Sequence, residues 1–196
     1  GTDLDGYATS STPVVSIAGS ATGEDEEGAT TVLSLAIVGG SPQPSGLTTT
    51  DGQAIDLVLE GGLIVGRIAA GEADAGDAAF AVSLGQDGSV SIAQWISLTH
   101  PTSPNDYDEP VDLGGLVNAV VTVTDGDGDV DTDFVEIGNS IEFDDDGPTA
   151  SISDYGGTVT HDETAGLQDD DTTDAGVIAL FAGVANKGTD LDGYAT

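Results

Sequence analysis

Apolar and polar residues alternate in short runs along most of this chain, and the runs are rich in Val, Ile and Thr. Over residues 30–38, Leu33, Leu35 and Ile37 alternate with Val32, Ser34 and Ala36. A period of two puts successive side chains on opposite faces of a strand, and β-branched residues suit that pleated surface. The same pattern predicts strands over residues 14–18, 54–59, 63–68, 79–84, 89–96 and 116–123, and again over 134–143. Glu60-Gly61-Gly62 and Gly85-Gln86-Asp87-Gly88 separate consecutive runs as hairpin turns. Residues 39–46, with two prolines among three glycines, carry too many breakers for either element and read as a connection.

Past residue 148 the pattern begins a new strand series at 150–153 and 158–160, and 176–183 reads as either a strand or a short helix. No long window keeps a 3.6-residue period. The expected fold class is therefore all-β. Short antiparallel strands with one apolar face each stack best as two sheets, an immunoglobulin-like β-sandwich, with a closed barrel as the alternative.

One stretch breaks the apolar alternation: Val121-Thr-Val-Thr-Asp125-Gly-Asp127-Gly-Asp129-Val-Asp131-Thr-Asp133-Phe-Val-Glu136. Aspartate at every second position is acceptor-only, and like charges ~4 Å apart repel by ~1 kcal/mol in water and ~4 near a protein surface. A cation is expected to gather Asp125, Asp127, Asp129, Asp131 and Asp133. Calcium fits, because it takes six to eight hard oxygen ligands in flexible geometry and Gly between short Asp side chains lets the backbone curl around one ion. The spacing also matches an EF-hand loop from Asp125 to Glu136. However, its sixth position is Val130 where the sharp turn needs Gly, and its flanks read as strands where that motif has helices. A stacked glycine-aspartate β-roll needs a repeat that the chain does not supply. The plain alternative is a solvated acidic loop. Residues 100–110, with three prolines and Asp106, Asp108 and Glu109, are either a second cation site or solvated chain.

Charge extends this picture to the whole molecule. The chain has 36 acidic and 2 basic residues, a formal net charge of −34, so few carboxylates can find a basic partner. Such self-repulsion opposes compaction, and bound divalent cations reconcile it with the ordered apolar runs. Nucleic acid and anionic membrane surfaces are excluded as partners by the same charge. Cys and Met are both absent, so no disulfide or thiol chemistry is available. Exposed carboxylate sites of the weak kind, with dissociation constants of roughly 10⁻⁴ to 10⁻³ M, imply an extracellular location. No run is apolar and long enough for a membrane-spanning helix.

The ends carry a repeat. Gly1-Thr-Asp3-Leu-Asp5-Gly-Tyr7-Ala-Thr9 recurs unchanged as Gly188-Thr-Asp190-Leu-Asp192-Gly-Tyr194-Ala-Thr196. The copies start 187 residues apart, at positions 1 and 188, so the expected organisation is one 187-residue period of a tandem array plus a nine-residue overlap. Each bead in such an array has its own core. The acidic, proline-stopped segment Asp144-Asp145-Asp146-Gly-Pro148 marks a module boundary. Residues 1–147 are then the main sandwich portion of one repeat and 148–196 the opening strands of the next. The latter are expected either to fold back on 1–147 or to complement a neighbouring molecule.

Four segments, Val121-Thr-Val-Thr-Asp-Gly-Asp-Gly-Asp129, Phe143-Asp-Asp-Asp-Gly-Pro148, His161-Asp-Glu-Thr-Ala-Gly-Leu-Gln168 and Gly188-Thr-Asp-Leu-Asp-Gly193, resemble the repeat modules of bacterial RTX-type giant adhesins. These are type I-secreted biofilm proteins of the cell surface. The resemblance implies a calcium-stiffened extender: a β-sandwich repeated in tandem with identical neighbours, holding a distal ligand-binding tip, encoded elsewhere in the parent protein, away from the bacterium. It also implies a calcium role for the quoted acidic residues, including Asp3, Asp5, Asp190 and Asp192. At the joint between modules, calcium is expected to draw Asp144, Asp145 and Asp146 together with Asp162 and Glu163.

Two rival functions are weighed against the spacer. A calcium-dependent carbohydrate-binding module wants aromatic platforms, and the single tryptophan, Trp95, sits in a strand pattern that predicts a core position. An enzyme is not expected: His100 and His161 have no cysteine and no Gly-x-Ser-x-Gly elbow to work with. Arg67 and Lys187 are expected to satisfy local carboxylates or carbonyls.

Overall fold

The computed structural model of the chain describes residues 6–24, 26–101, 109–145, 149–161, 164, 168–169, 172–186 and 188. Two compact units divide it, Gly1–Pro148 and Thr149–Thr196. Among the described residues every strand belongs to the first. In chain order these are β1 (Gly6–Thr9), β2 (Thr30–Ile37), β3 (Gln43–Thr48), β4 (Ala54–Glu60), β5 (Leu63–Ile68), β6 (Ala78–Leu84), β7 (Val90–Gln94), β8 (Val111–Asp112), β9 (Val117–Thr124), β10 (Val130–Glu136) and β11 (Glu142–Phe143).

The first unit is an antiparallel β-sandwich. One layer has six strands in the order β1-β7-β6-β5-β4-β3, a meander from β3 to β7 with β1 added at the end. The other has three, β10-β9-β2, and a short β11-β8 ribbon completes the set. Alternation decides which side chains face inward. Ile55 and Leu57 of β4, Ile64 of β5 and Phe80 and Val82 of β6 are buried from one layer, and Leu35, Ile37, Val117 and Ala119 meet them from the other. Each such burial of a Val, Leu, Ile or Phe side chain stabilises the fold by about 1.5–3 kcal/mol relative to exposure. Phe80 also stacks against Phe143, with ring centroids 4.7 Å apart and planes tilted by 50°. Its ring lies where a Cβ on Gly66 would stand, 2.4 Å from two ring carbons, so β5 needs glycine at that point.

Local sequence explains the meander's tightest turn. Gly61 and Gly62 have φ of +58° and +86°, the paired positive values of a turn whose twist matches the flanking strands. The hairpin turn between β6 and β7 does a second job. Gln86 Oε1 accepts from the Leu33 N–H at 2.9 Å, and Gln86 Nε2 donates to the Leu33 carbonyl at 2.8 Å. The side-chain amide thereby takes the place of a peptide group beside the free edge of β2 and ties one layer to the other.

Several expected elements differ. Residues 14–18 form no strand; the amides of Val14 and Val15 both donate to the Gly88 carbonyl, at 2.8 and 3.3 Å, which pins an irregular segment over the core. Strand β3 occupies part of the proline-glycine connection. It is an edge strand, where a proline costs no ladder hydrogen bond, and its register shifts between Pro44 and Thr48. Strand β10 begins at Val130, inside the acidic stretch, because an edge strand exposed along its length can carry aspartates. The run expected over 134–143 is instead the end of β10, a 3₁₀ turn over Gly138–Ser140 and β11.

The second unit has no strand among its described residues. Residues 150–153 and 158–160 are irregular, with Ile152 and Val159 98% and 99% exposed. Alternation fits a chain to a sheet, but a strand exists only through a hydrogen-bonded neighbour, and these residues have no ladder. The apolar stretch 176–183 is partly helix, α1 (Ala175–Leu180), begun by Asp174 Oδ1, which accepts from the amides of Gly176 and Val177 at 2.7 and 3.1 Å.

Candidate metal centre

Strands β9 and β10 pair in continuous register from Asn118↔Glu136 to Thr124↔Val130, which leaves Asp125 to Asp129 as the loop between them. The loop closes on itself. The Asp125 N–H donates to the Asp129 carbonyl at 3.0 Å, and Asp125 Oδ1 accepts from the amides of Gly128 and Asp129 at 3.0 and 2.8 Å. Gly128 sits at φ +99°, a conformation that L side chains rarely adopt.

This turn brings three carboxylates together. One oxygen from each of Asp125, Asp127 and Asp129 lies within 4.8 Å of the others. Two oxygens bound to one calcium, each about 2.4 Å from it, can be at most about 4.8 Å apart, so the trio fits a single calcium sphere. Asp127 and Asp129 are exposed and Asp125 half-buried, which leaves room for water to complete six to eight ligands. The donors are all hard oxygens, a set for calcium or magnesium and not for zinc or copper.

The electrostatics follow from the same contacts. A hydrogen bond shared with the Asp127 carboxyl holds the Asp125 carboxyl below the usual carboxylate range; partial desolvation opposes this, and the amides of Asp129, Gly128 and Asp127 add to it. No basic side chain compensates the loop among the described residues. Arg67 is engaged elsewhere, donating from Nε and Nη2 to the two Glu60 oxygens at 2.7 and 2.6 Å and from Nη1 to the Gly76 carbonyl at 2.7 Å. That matches the expectation that Arg67 satisfies a local carboxylate and carbonyl; Lys187 lies outside the described residues.

The other expected ligands are distributed differently. Asp131 and Asp133 stand on β10 and line an open cavity of about 530 Å³ with Ser16, Ser20, Val121 and Val123; the group that meets within 4.8 Å does not include them. Glu136, at the twelfth position of the EF-hand spacing, is at the far end of β10. Its Oε1 accepts from the amides of Gly115 and Gly138 at 3.0 and 2.7 Å, and its Oε2 from Asn139 Nδ2 at 2.9 Å. Asp144 is exposed and lines a second cavity of about 220 Å³ with Tyr7 and Phe143, while Asp145 is half-buried. Asp3, Asp5, Asp146, Asp162, Glu163, Asp190 and Asp192 lie outside the described residues, as do residues 102–108 of the proline-rich loop.

Two features escaped the sequence. Trp95, expected in the core, is 42% exposed, because it follows the last residue of β7, where the alternation no longer decides the facing. Tyr7 on β1 is 72% exposed, and nothing in its nonapeptide marks that segment as a strand.

The family model of a domain of unknown function (DUF5801) matches residues 2–138, a range that takes in the sandwich up to the end of β10 and the aspartate loop. No curated protein and no solved structure matches the chain. With well over half of its length matched, the chain belongs to the DUF5801 family.

Proposed function

We propose that this chain is a calcium-stiffened extender repeat of a bacterial cell-surface adhesin, one bead of a tandem array that holds a distal ligand-binding region away from the cell. The observation that carries this reading is the gathering of Asp125, Asp127 and Asp129 at a hairpin loop, with no basic partner among the described residues. In a chain of net charge −34 such a group is strongly disfavoured until a divalent cation binds, so calcium would act as a structural part. The identical nonapeptides at positions 1–9 and 188–196 support a tandem arrangement, with identical repeats as the immediate partners. The described residues also offer the closed core that a spacer requires. The reading assigns no reaction to the chain.

Under this proposal the joint between successive repeats is rigid with calcium and loose without it. Small-angle scattering on two fused 187-residue periods tests it: the maximum dimension should be sharply defined in millimolar calcium, and the distance distribution should broaden in chelator. Identical profiles in the two conditions would remove calcium stiffening from the account.

A second reading has gained one observation. Trp95 at 42% exposure offers the aromatic surface that a calcium-dependent carbohydrate-binding module needs. A glycan array with calcium separates the two, since a spacer binds none and a lectin-like module loses its signal in Trp95→Ala.

A further inference from the structure

The three-stranded layer presents one face to the core and one outward. Directly paired residues share a face, so Leu33, Val121 and Asp133 mark the inner rows while Ser34, Val120 and Phe134 mark the outer ones. In a chain where nearly one residue in five is charged, every outward position of β2, β9 and β10 except Glu136 is uncharged, most of them Val or Thr. Glu136 itself is held at the end of the sheet by Gly115, Gly138 and Asn139. The face is also open: Val32, Val130 and Phe134 are 46%, 61% and 68% exposed.

We propose that this outward face is a self-association surface, on which the same face of a second copy of the chain docks. Electrostatics selects the place. Two copies otherwise meet as like-charged bodies, and this face lets them touch over outward positions of β2, β9 and β10 of which Glu136 alone is charged. A basic partner would be drawn instead to the acidic surfaces, where charge complementarity lies. Edge-to-edge growth of the sheet is closed off, since Gln86 occupies the edge of β2 at Leu33 and the aspartates of β10 guard the other edge. What remains is face-to-face packing, with Phe134 as the apolar anchor.

Area sets the strength. Three strands about 4.8 Å apart and seven residues of about 3.4 Å each make a face on the order of 340 Å². A stable complex buries about 800 Å² per partner, so one pair of faces associates weakly. Salt must strengthen the contact, because it screens the repulsion of the surrounding carboxylates: the Debye length falls from about 30 Å at 0.01 M to about 3 Å at 1 M.

Sedimentation equilibrium of the full chain in chelator, from about 10 µM to about 1 mM, tests the proposal independently of calcium. Wild type should show reversible monomer–dimer behaviour in about 1 M NaCl and stay monomeric in about 0.01 M. Phe134→Asp and Val32→Asp should each weaken the dimer about tenfold or more, whereas Leu63→Asp, at an exposed position of β5, should leave it unchanged. Thermal melts of the variants confirm that each remains folded. A wild-type chain that is monomeric at every concentration and salt would overturn the proposal, and so would a dimer that Phe134→Asp and Val32→Asp leave intact.

Discussion

Asp125 and Asp129 close the β9–β10 loop on each other, the Asp125 amide on the Asp129 carbonyl at 3.0 Å and the Asp129 amide on Asp125 Oδ1 at 2.8 Å. Asp125 is therefore a structural residue of the turn as well as a candidate ligand, whereas the Asp127 carboxyl meets the Asp125 carboxyl and its amide contact does not depend on the side chain. The two should separate in mutagenesis. Asp125→Ala should lower the melting midpoint by a few degrees even in chelator, because two loop amides lose their acceptor. Asp127→Ala should match wild type in chelator and fall below it only in calcium. Equal melting of the two variants in chelator would contradict this division.

Gln86 joins the layers through a single side chain, with both of its amide groups on Leu33. Gln86→Ala should cost about 1–2 kcal/mol in urea unfolding, the net worth of two hydrogen bonds, without changing the slope. A loss below a few tenths of a kcal/mol would mean that water replaces the clamp.

At Gly88 a Cβ would stand 2.0 Å from the Val15 carbonyl oxygen, with φ at +83°. Gly88→Ala should therefore destabilise by about 2 kcal/mol or more, through backbone strain and forced movement of the 14–15 segment. At Gly61, φ is +58° and a Cβ meets open space. Gly61→Asn, which tolerates that region, should cost far less, and denaturant midpoints of the two variants give the comparison.

How far the sequence led can be judged from these residues. The β4–β5 hairpin was legible because Gly61 and Gly62 supply the turn between two alternating runs, and the aspartate loop because Gly126 and Gly128 punctuate it. Strand β3 was hidden because breaker residues lose their meaning on an edge, where Pro44 forgoes no ladder bond. Asp131 and Asp133 read as ligands by spacing, yet β10 carries them along a strand and away from the loop. The Gln86 clamp joins residues 53 positions apart, and no local pattern can announce a contact made by the packing of two sheets. Trp95 fell to the same limit, since exposure just past a strand end depends on what the neighbouring layer covers.

Two carboxyls outside the candidate centre set an acid limit. Glu60 is held below its ordinary value of 4.5 chiefly by the Arg67 hydrogen bonds, and Asp87 below 3.8 chiefly by the Ser89 hydroxyl at 2.6 Å, with the Ser89 amide at 3.0 Å. A folded-state value below the unfolded one gives stability that is present above the unfolded value and lost as pH falls through the folded value. The stability that these two carboxyls contribute in chelator should thus decline below about pH 4.5, and Ser89→Ala should shrink the Asp87 part of that dependence, leaving what the amide of residue 89 supplies. An unchanged profile in Ser89→Ala would show that this hydrogen bond does not favour the charged form.

The central claim is that calcium binds the folded sandwich at the aspartate loop, and the most direct measurement is the melting midpoint of the chain in about 10 mM calcium against excess chelator. A ligand that binds only the folded state adds about 2.7 kcal/mol at a hundredfold excess over its dissociation constant. For a unit of this size that corresponds to a rise of about 5–10 °C, and Asp127→Ala with Asp129→Ala should abolish most of it. Midpoints that agree within about one degree with and without calcium, or a rise that survives the double substitution, would contradict the account.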